Sequence, residues 1–465
     1  MSRSNHSLAR VLITLLLLGS FAARSNAATW QTVPATNEAL VRAFVADLGS
    51  EKYDAADHLF SANIQQAFPA DKLKAAWQQV LARAGRFQAI QSLSHDASNG
   101  GDLYSVVCKF ESAQVTLAIQ VDAEQHIAGF HVTQMSEDGP EVAWKPPEYA
   151  KPDSFEERAV TVGQPPYALS GTLTMPKGAG PFPAAVLVHG SGPNDQDESY
   201  GPNKMFRDLA WGLATNGAAV LRYTKRTRQY GAQMTKDAAG LTVKQETTDD
   251  ARAAVAMLAA TPQIDAAHIF LIGHSLGGYL GPRIAAGDSQ IAGLILLAGS
   301  ARPLEDMVVE QVKFEVDAAG ASATRQGEEA IANAEADRRA IDDPNLKPGT
   351  TVRFAGTQIP SDYFLDLRGY DPPKIAASLK IPMLILQGER DIQVRMTDFN
   401  LWRVALASHK NVTFKSYPAA THYFMPGTGP GTAAEYNTPN HVETEVLEDI
   451  AAWILKESGT PARHK

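Results

Sequence analysis

Ile269-Phe270-Leu271-Ile272-Gly273-His274-Ser275-Leu276-Gly277-Gly278 joins a compact apolar run to the start of a helical segment through a serine set among glycines. Four consecutive large apolar residues with no polar alternation read as a strand buried on both faces, and Leu276 to Ala286 reads as the helix that follows. A serine at such a strand-to-helix corner is held in a strained backbone with its hydroxyl exposed, and the glycines leave room where side chains would collide. This is a nucleophile elbow. The bare Gly-x-Ser-x-Gly pattern also fits a glycine-rich structural turn, so the strand before, the helix after and the partners downstream decide between the readings.

Outward from the elbow, Ala184–Val188, Gly217–Leu221, Ile291–Leu297 and Met383–Leu386 are further short apolar runs. They alternate with helical segments at Phe206–Thr215 and Thr247–Ala260. Such alternation predicts an α/β fold with a mostly parallel sheet covered by helices, whose chemistry sits at the carboxyl ends of the strands. Between about residues 301 and 375 the alternation breaks, and Leu304 to Ala340 reads as charged, amphipathic helix, as expected of an inserted lid. Tyr363, Phe364 and Leu367 in that insertion either line a substrate pocket or pack in the core beneath it.

A serine hydroxyl needs a base, and the base needs an acid to fix its tautomer. In this class of fold both follow the serine in the chain. The acid is Asp391, presented by the strand Met383–Leu386 and a turn at Gly388, with Glu389 as its competitor. For the base, His422 stands in a loop after the strand Val412–Tyr417; His409 reads as a solvated turn, His464 as tail, and His441 as the start of the last helix. An oxyanion would need backbone N–H donors, expected from Leu276 and, in the loop His189-Gly190-Ser191-Gly192-Pro193, from Ser191. His189 precedes the nucleophile and reads as a brace for that loop. The acidic stretch Asp195-Gln196-Asp197-Glu198-Ser199 lacks the glycine and the acid that an EF-hand loop requires, so no metal is expected. It is read as solvated or paired with Arg222, Lys225, Arg226 or Arg228, a basic cluster that could instead meet a substrate carboxylate. No cofactor motif is present in the sequence, and none is expected.

At 465 residues two domains are expected. Residues 30–135 read as a small α+β unit: helical from Ala35 to about Lys74, then β-type runs at Phe87–Leu93, Leu103–Phe110, Gln114–Val121 and His126–Val132. Residues 136–152 have linker composition, and 153–460 form the catalytic domain. Residues 1–27, with Arg3, Arg10, an apolar stretch and Ser25-Asn26-Ala27, read as a signal peptide, predicting export to the periplasm or medium. Their removal takes away three arginines and no acid, moving the formal charge from −9 to −12. That excess of negative charge disfavours nucleic acid as a partner. The mature chain has no run of membrane-spanning length. Cys108, the lone cysteine, reads as a small buried hydrophobe.

Together, His189-Gly190-Ser191-Gly192-Pro193-Asn194-Asp195, Gly201-Pro202-Asn203-Lys204, the elbow at Ser275, Tyr370-Asp371-Pro372, Gly388-Glu389-Arg390-Asp391 and His422 resemble a family of bacterial two-domain esterases. In that family an N-terminal domain of unknown function precedes an α/β-hydrolase of the dienelactone-hydrolase and acyl-peptidase-like superfamily. The resemblance implies cofactor-free hydrolysis of short or medium acyl esters by Ser275, Asp391 and His422. Two rival expectations are a serine peptidase on the same fold and a binding module carrying a secondary hydrolase. The Gly/Pro-rich insert Pro426–Thr432 departs from the family pattern.

Overall fold

A computed structural model describes residues 35–96, 102–137, 144–231, 234, 240–318, 320–322 and 324–460. The signal-peptide reading of residues 1–27 and part of the linker reading lie outside them. The chain divides into two compact units near residue 142.

The first unit carries four helices, Ala35–Gly49, Tyr53–Asp57, Ala62–Ala67 and Ala70–Ala84, followed by an antiparallel four-stranded meander from Phe87 to Glu137. Alternate residues of its second strand, Tyr104, Val106, Cys108 and Phe110, are buried against Phe44, Trp77 and Leu73, the period-two pattern of a sheet with one face on a core. Cys108 is fully enclosed, and burial pushes its thiol up to about 12. At neutral pH it is an inert, protonated filler.

The second unit is built on an eight-stranded sheet in the order 412–417, 383–388, 291–297, 264–274, 182–188, 219–223, 169–176, 155–162. The first six strands run parallel, and the last two pair antiparallel at one edge. Strand Phe182–Val188 shows why the apolar runs carried no alternation. Ala184, Val186 and Val188 enter one core, while Ala185 and Leu187 enter the other. Helices Met205–Thr215 and Thr444–Glu457 cover the second face, and Asp249–Ala259, Leu276–Ala286 and Met396–Ala405 cover the first.

The two antiparallel edge strands were not anticipated. Phe155–Val162 buries only its end residues, so its sequence is too polar to announce a strand. The expected lid is present as helices Leu304–Ala318 and Arg325–Asp342, a hairpin of Thr351–Phe354 with Thr357–Pro360, and helix Ser361–Leu367.

Candidate active site

Strand 264–274 ends at Ser275, whose φ of 52° and ψ of −113° lie outside the regions comfortable for an L-residue. The glycines are obligatory here. A Cβ on Gly273 would fall 2.2 Å from the carbonyl oxygen of Gly277, and one on Gly277 would fall 2.1 Å from that of Val188. Ser275 N–H donates to Leu297 O at 2.9 Å, and its own carbonyl accepts the Tyr279 N–H at 2.8 Å, opening the helix. The hydroxyl therefore stands at the positive end of a helix dipole, at the carboxyl end of a central strand.

Asp391 follows strand 383–388. Its Oδ1 accepts the N–H groups of Gln393 and Val394 at 2.7 and 2.9 Å, which locks the carboxylate's rotation. Its Oδ2 accepts from Gln387 Nε2 at 3.0 Å and from His422 Nδ1 at 2.7 Å. With the proton of His422 held on Nδ1 by the acid, Nε2 is left with a lone pair. Ser275 and His422 wall the same cavity of about 180 Å³, without a direct hydrogen bond between them among the described residues. Such contacts commonly tighten only when substrate binds.

Leu276 and Ser191 also line this cavity, and among the described residues neither backbone N–H is spent on an internal partner. His189 is buried. Its Nε2 donates to Asp195 O at 3.0 Å, and burial, ahead of nearby charges, pushes its pKa down to about 4. It braces the loop, as expected. Glu389 is exposed and accepts from Ser416, and His441 pairs with Asp208 through Nδ1 at 3.1 Å, so neither competitor reaches the cavity.

One expected pocket wall is corrected, and one alternative left open by the sequence is decided. Tyr363, Phe364 and Leu367 do not line the cavity: Phe364 packs with Ile341 and Val352 under the lid, Leu367 joins the main core, and the Tyr363 hydroxyl donates to Glu246 at 2.9 Å. Helix 361–367 turns its apolar side toward the protein, and the cavity wall comes from elsewhere in the insertion: Leu304, Met307, Val308, Gln311 and Phe354. The basic cluster takes the paired alternative, with Arg222 on Asp197 of the acidic stretch, and not the substrate-facing one. Arg222 is enclosed by Asp197, Glu157 and Thr174, Lys225 by Gly190 O and Glu246, and Arg226 by Asp250. Their positive charge is consumed inside the fold.

The insert after His422 is held by the neighbour of the acid. Arg390 donates to Gly429 O at 2.6 Å and Thr428 O at 2.9 Å, and pairs with Glu435 at 2.8 Å. Two further cavity residues escaped sequence reasoning, Glu198 and His274. Burial alone would raise the Glu198 pKa and lower that of His274. Their mutual attraction and hydrogen bond overcome burial in both, so Glu198 is held below the usual carboxylate range and His274 above the usual imidazole one.

Two family models and a full-length relative match this chain. Residues 41–130 match the family described as a protein of unknown function, DUF3887, and residues 202–426 match the one described as serine aminopeptidase, S33. Esterase EstD of Thermotoga maritima is 36% identical over 413 residues, covering 89% of this chain and 94% of that protein. Among solved structures, Est1E from Butyrivibrio proteoclasticus is 17% identical over 65% of this chain and 99% of its own, with a TM-score of 0.42. An esterase from Pyrobaculum calidifontis, also 17% identical, covers 65% of this chain and 86% of its own with the same score. The chain belongs to the family of two-domain serine esterases in which a DUF3887 domain precedes an α/β-hydrolase.

Proposed function

We propose that this protein hydrolyses esters of short or medium, uncharged acyl groups through an acyl-enzyme on Ser275. The observation that carries the reading is the imidazole of His422, fixed by Asp391, on the wall of the cavity that also holds the strained Ser275. His422 takes the serine proton as Oγ attacks the ester carbonyl. The N–H groups of Leu276 and Ser191 receive the oxyanion, and His422 then protonates the departing alcohol. Water repeats the sequence on the acyl-enzyme.

The lining supports the substrate class. Leu304, Met307, Val308, Phe354 and Val394 form an apolar wall suited to an acyl chain, and among the described residues the lining includes no arginine or lysine for a carboxylate. A peptidase reading takes support from the name of the matched family, but an aminopeptidase must bind a substrate ammonium. Among the described residues the cavity lining holds one carboxylate, Glu198, and both of its oxygens are occupied by Gly190 and His274.

Two expectations follow. On nitrophenyl esters of increasing chain length, Met307→Trp should cut kcat/KM for an octanoyl ester at least tenfold more than for an acetyl ester, because a bulkier wall shortens the acyl slot; one or two lost methylene contacts are worth roughly 10–200-fold. Equal losses on both, or faster turnover of aminoacyl anilides than of esters by the parent enzyme, would sink the substrate assignment. Export through residues 1–27 belongs to the same proposal. The secreted or periplasmic protein should then begin at Ala28 when its N-terminus is sequenced, and an intact Met1 in that fraction would contradict it.

A further inference from the structure

Gly190 is held from two sides. Its N–H donates to Glu198 Oε1 at 2.6 Å, and its carbonyl accepts from Lys225 Nζ at 2.9 Å and from Asn194 Nδ2 at 3.2 Å. A trans peptide is planar, with C=O and N–H opposed. A carbonyl turned toward Lys225 therefore turns the Ser191 N–H away from it. The clamped segment also runs close beside the nucleophile, since a Cβ on Gly190 would lie 3.2 Å from Ser275 Cβ and 3.0 Å from Glu198 Oε1.

The other oxygen of Glu198 meets His274 Nδ1 at 3.0 Å, and His274 Nε2 donates to the main-chain carbonyl of His422 at 3.1 Å. A carbonyl only accepts, so Nε2 carries a proton, and the Nδ1 contact with the carboxylate holds a second one. Three bonds in series thus connect the loop of Ser191, the residue before the nucleophile and the backbone of the base. Glu198 is 4% exposed and His274 1%. A charged pair so enclosed is tolerated only while each partner satisfies the other. Glu198 also has a φ of 46°, strain that a non-glycine residue accepts where its surroundings over-determine it.

We propose that Glu198 and His274 are positioning residues: a buried carboxylate–imidazole pair that holds the Gly190–Ser191 peptide against Ser275 and ties it to the main chain of His422, so that oxyanion donor and base stay in mutual register. The proposal rests on the reading of Ser275 and His422 as the reacting groups.

Three substitutions at one position test it. Glu198→Ala removes both bonds, and Glu198→Asp keeps the charge but is one methylene too short to reach both partners. Glu198→Gln keeps the reach: its carbonyl oxygen accepts the Gly190 N–H and its amide donates to Nδ1 of a neutral His274, whose Nε2–H still serves His422. Kinetics on a nitrophenyl ester should show kcat falling at least about 30-fold for alanine and tenfold for aspartate, with KM within about threefold, because misplacement of a reacting group by about 1 Å costs up to ~10²-fold. Glutamine should restore most of that loss, to within about tenfold of the parent. Affinity for phenylboronic acid, whose tetrahedral adduct on a serine presents an oxyanion, should fall in step with kcat. Should the alanine variant fail to fold, the aspartate and glutamine variants decide. Parental kcat in the aspartate variant, a loss confined to KM, or unchanged boronate affinity would overturn the proposal. Ser275→Ala in the same assay separates the two claims. Continued turnover there defeats the reading of the site, whereas a dead Ser275→Ala beside unaffected Glu198 variants defeats only the positioning role.

Discussion

Ser275→Ala is expected to lower ester turnover by about 10⁴-fold or more while leaving stability within about 0.5 kcal/mol of the parent. Alanine keeps the Cβ that serine already carries at φ 52°, so the backbone strain is unchanged. The Ser275 hydroxyl has no internal hydrogen-bond partner among the described residues, so its deletion orphans no buried group. The lost group is the nucleophile itself, and the donors at Leu276 and Ser191 can still polarise a carbonyl, which leaves a small residual rate. Steady-state hydrolysis of a nitrophenyl ester together with a urea melt tests both halves. Turnover within tenfold of the parent would remove Ser275 from the mechanism.

Asp391→Asn is expected to lower kcat by about 10⁴-fold with KM little changed. The reason lies in the donors around the carboxylate. Oδ1 faces two backbone N–H groups, those of Gln393 and Val394, so the asparagine oxygen must take that place or leave both donors unmet. The amide NH₂ is then forced to the side of His422 Nδ1 and Gln387 Nε2. Facing a donor, His422 turns acceptor at Nδ1 and carries its proton on Nε2, where it can no longer receive the serine's. The protein should stay folded, since Gln387 keeps a second bond, to Val394 O at 2.7 Å. A pH–rate profile checks the assignment: activity should recover partly at high pH, where hydroxide replaces the missing base, and a parental rate at neutral pH would dismiss Asp391 as the orienting acid.

One glycine that looks redundant in the sequence is explained by the same packing. Gly388 sits with its Cα beside the carbonyls of Ala420 and Thr421, each 2.5 Å from where a Cβ would stand. The acid's strand and the base's loop can approach only because that side chain is absent. Arg390 then ties the segment Pro426–Thr432 to the residue next to Asp391, so that segment is anchored at the acid turn and leaves the His422–Asp391 bond at 2.7 Å.

Local physics alone determined a good deal about this protein. Short apolar runs bounded by turn signals read as strands buried on both faces, glycines around a serine between strand and helix read as relief of a collision, and an acid after a strand and a glycine turn reads as presented at a sheet's edge. Hence the parallel sheet, the elbow and the His422–Asp391 pairing were legible residue by residue. Tertiary structure alone decided which of the remaining polar groups meet. Glu198 stands in an acidic stretch that reads as solvated or paired with the nearby arginines and lysine, and His274 looks like a spacer in the elbow motif; 76 positions separate them, and only the folded loop shows them bonded. The same holds for the lid, where amphipathic helices announce an apolar side but not its direction. Helix 361–367 spends that side on core contacts while Leu304, Met307 and Phe354 face the cavity. Periodicity is a property of neighbours along the chain, whereas satisfaction of a buried charge depends on whichever group the fold delivers to it.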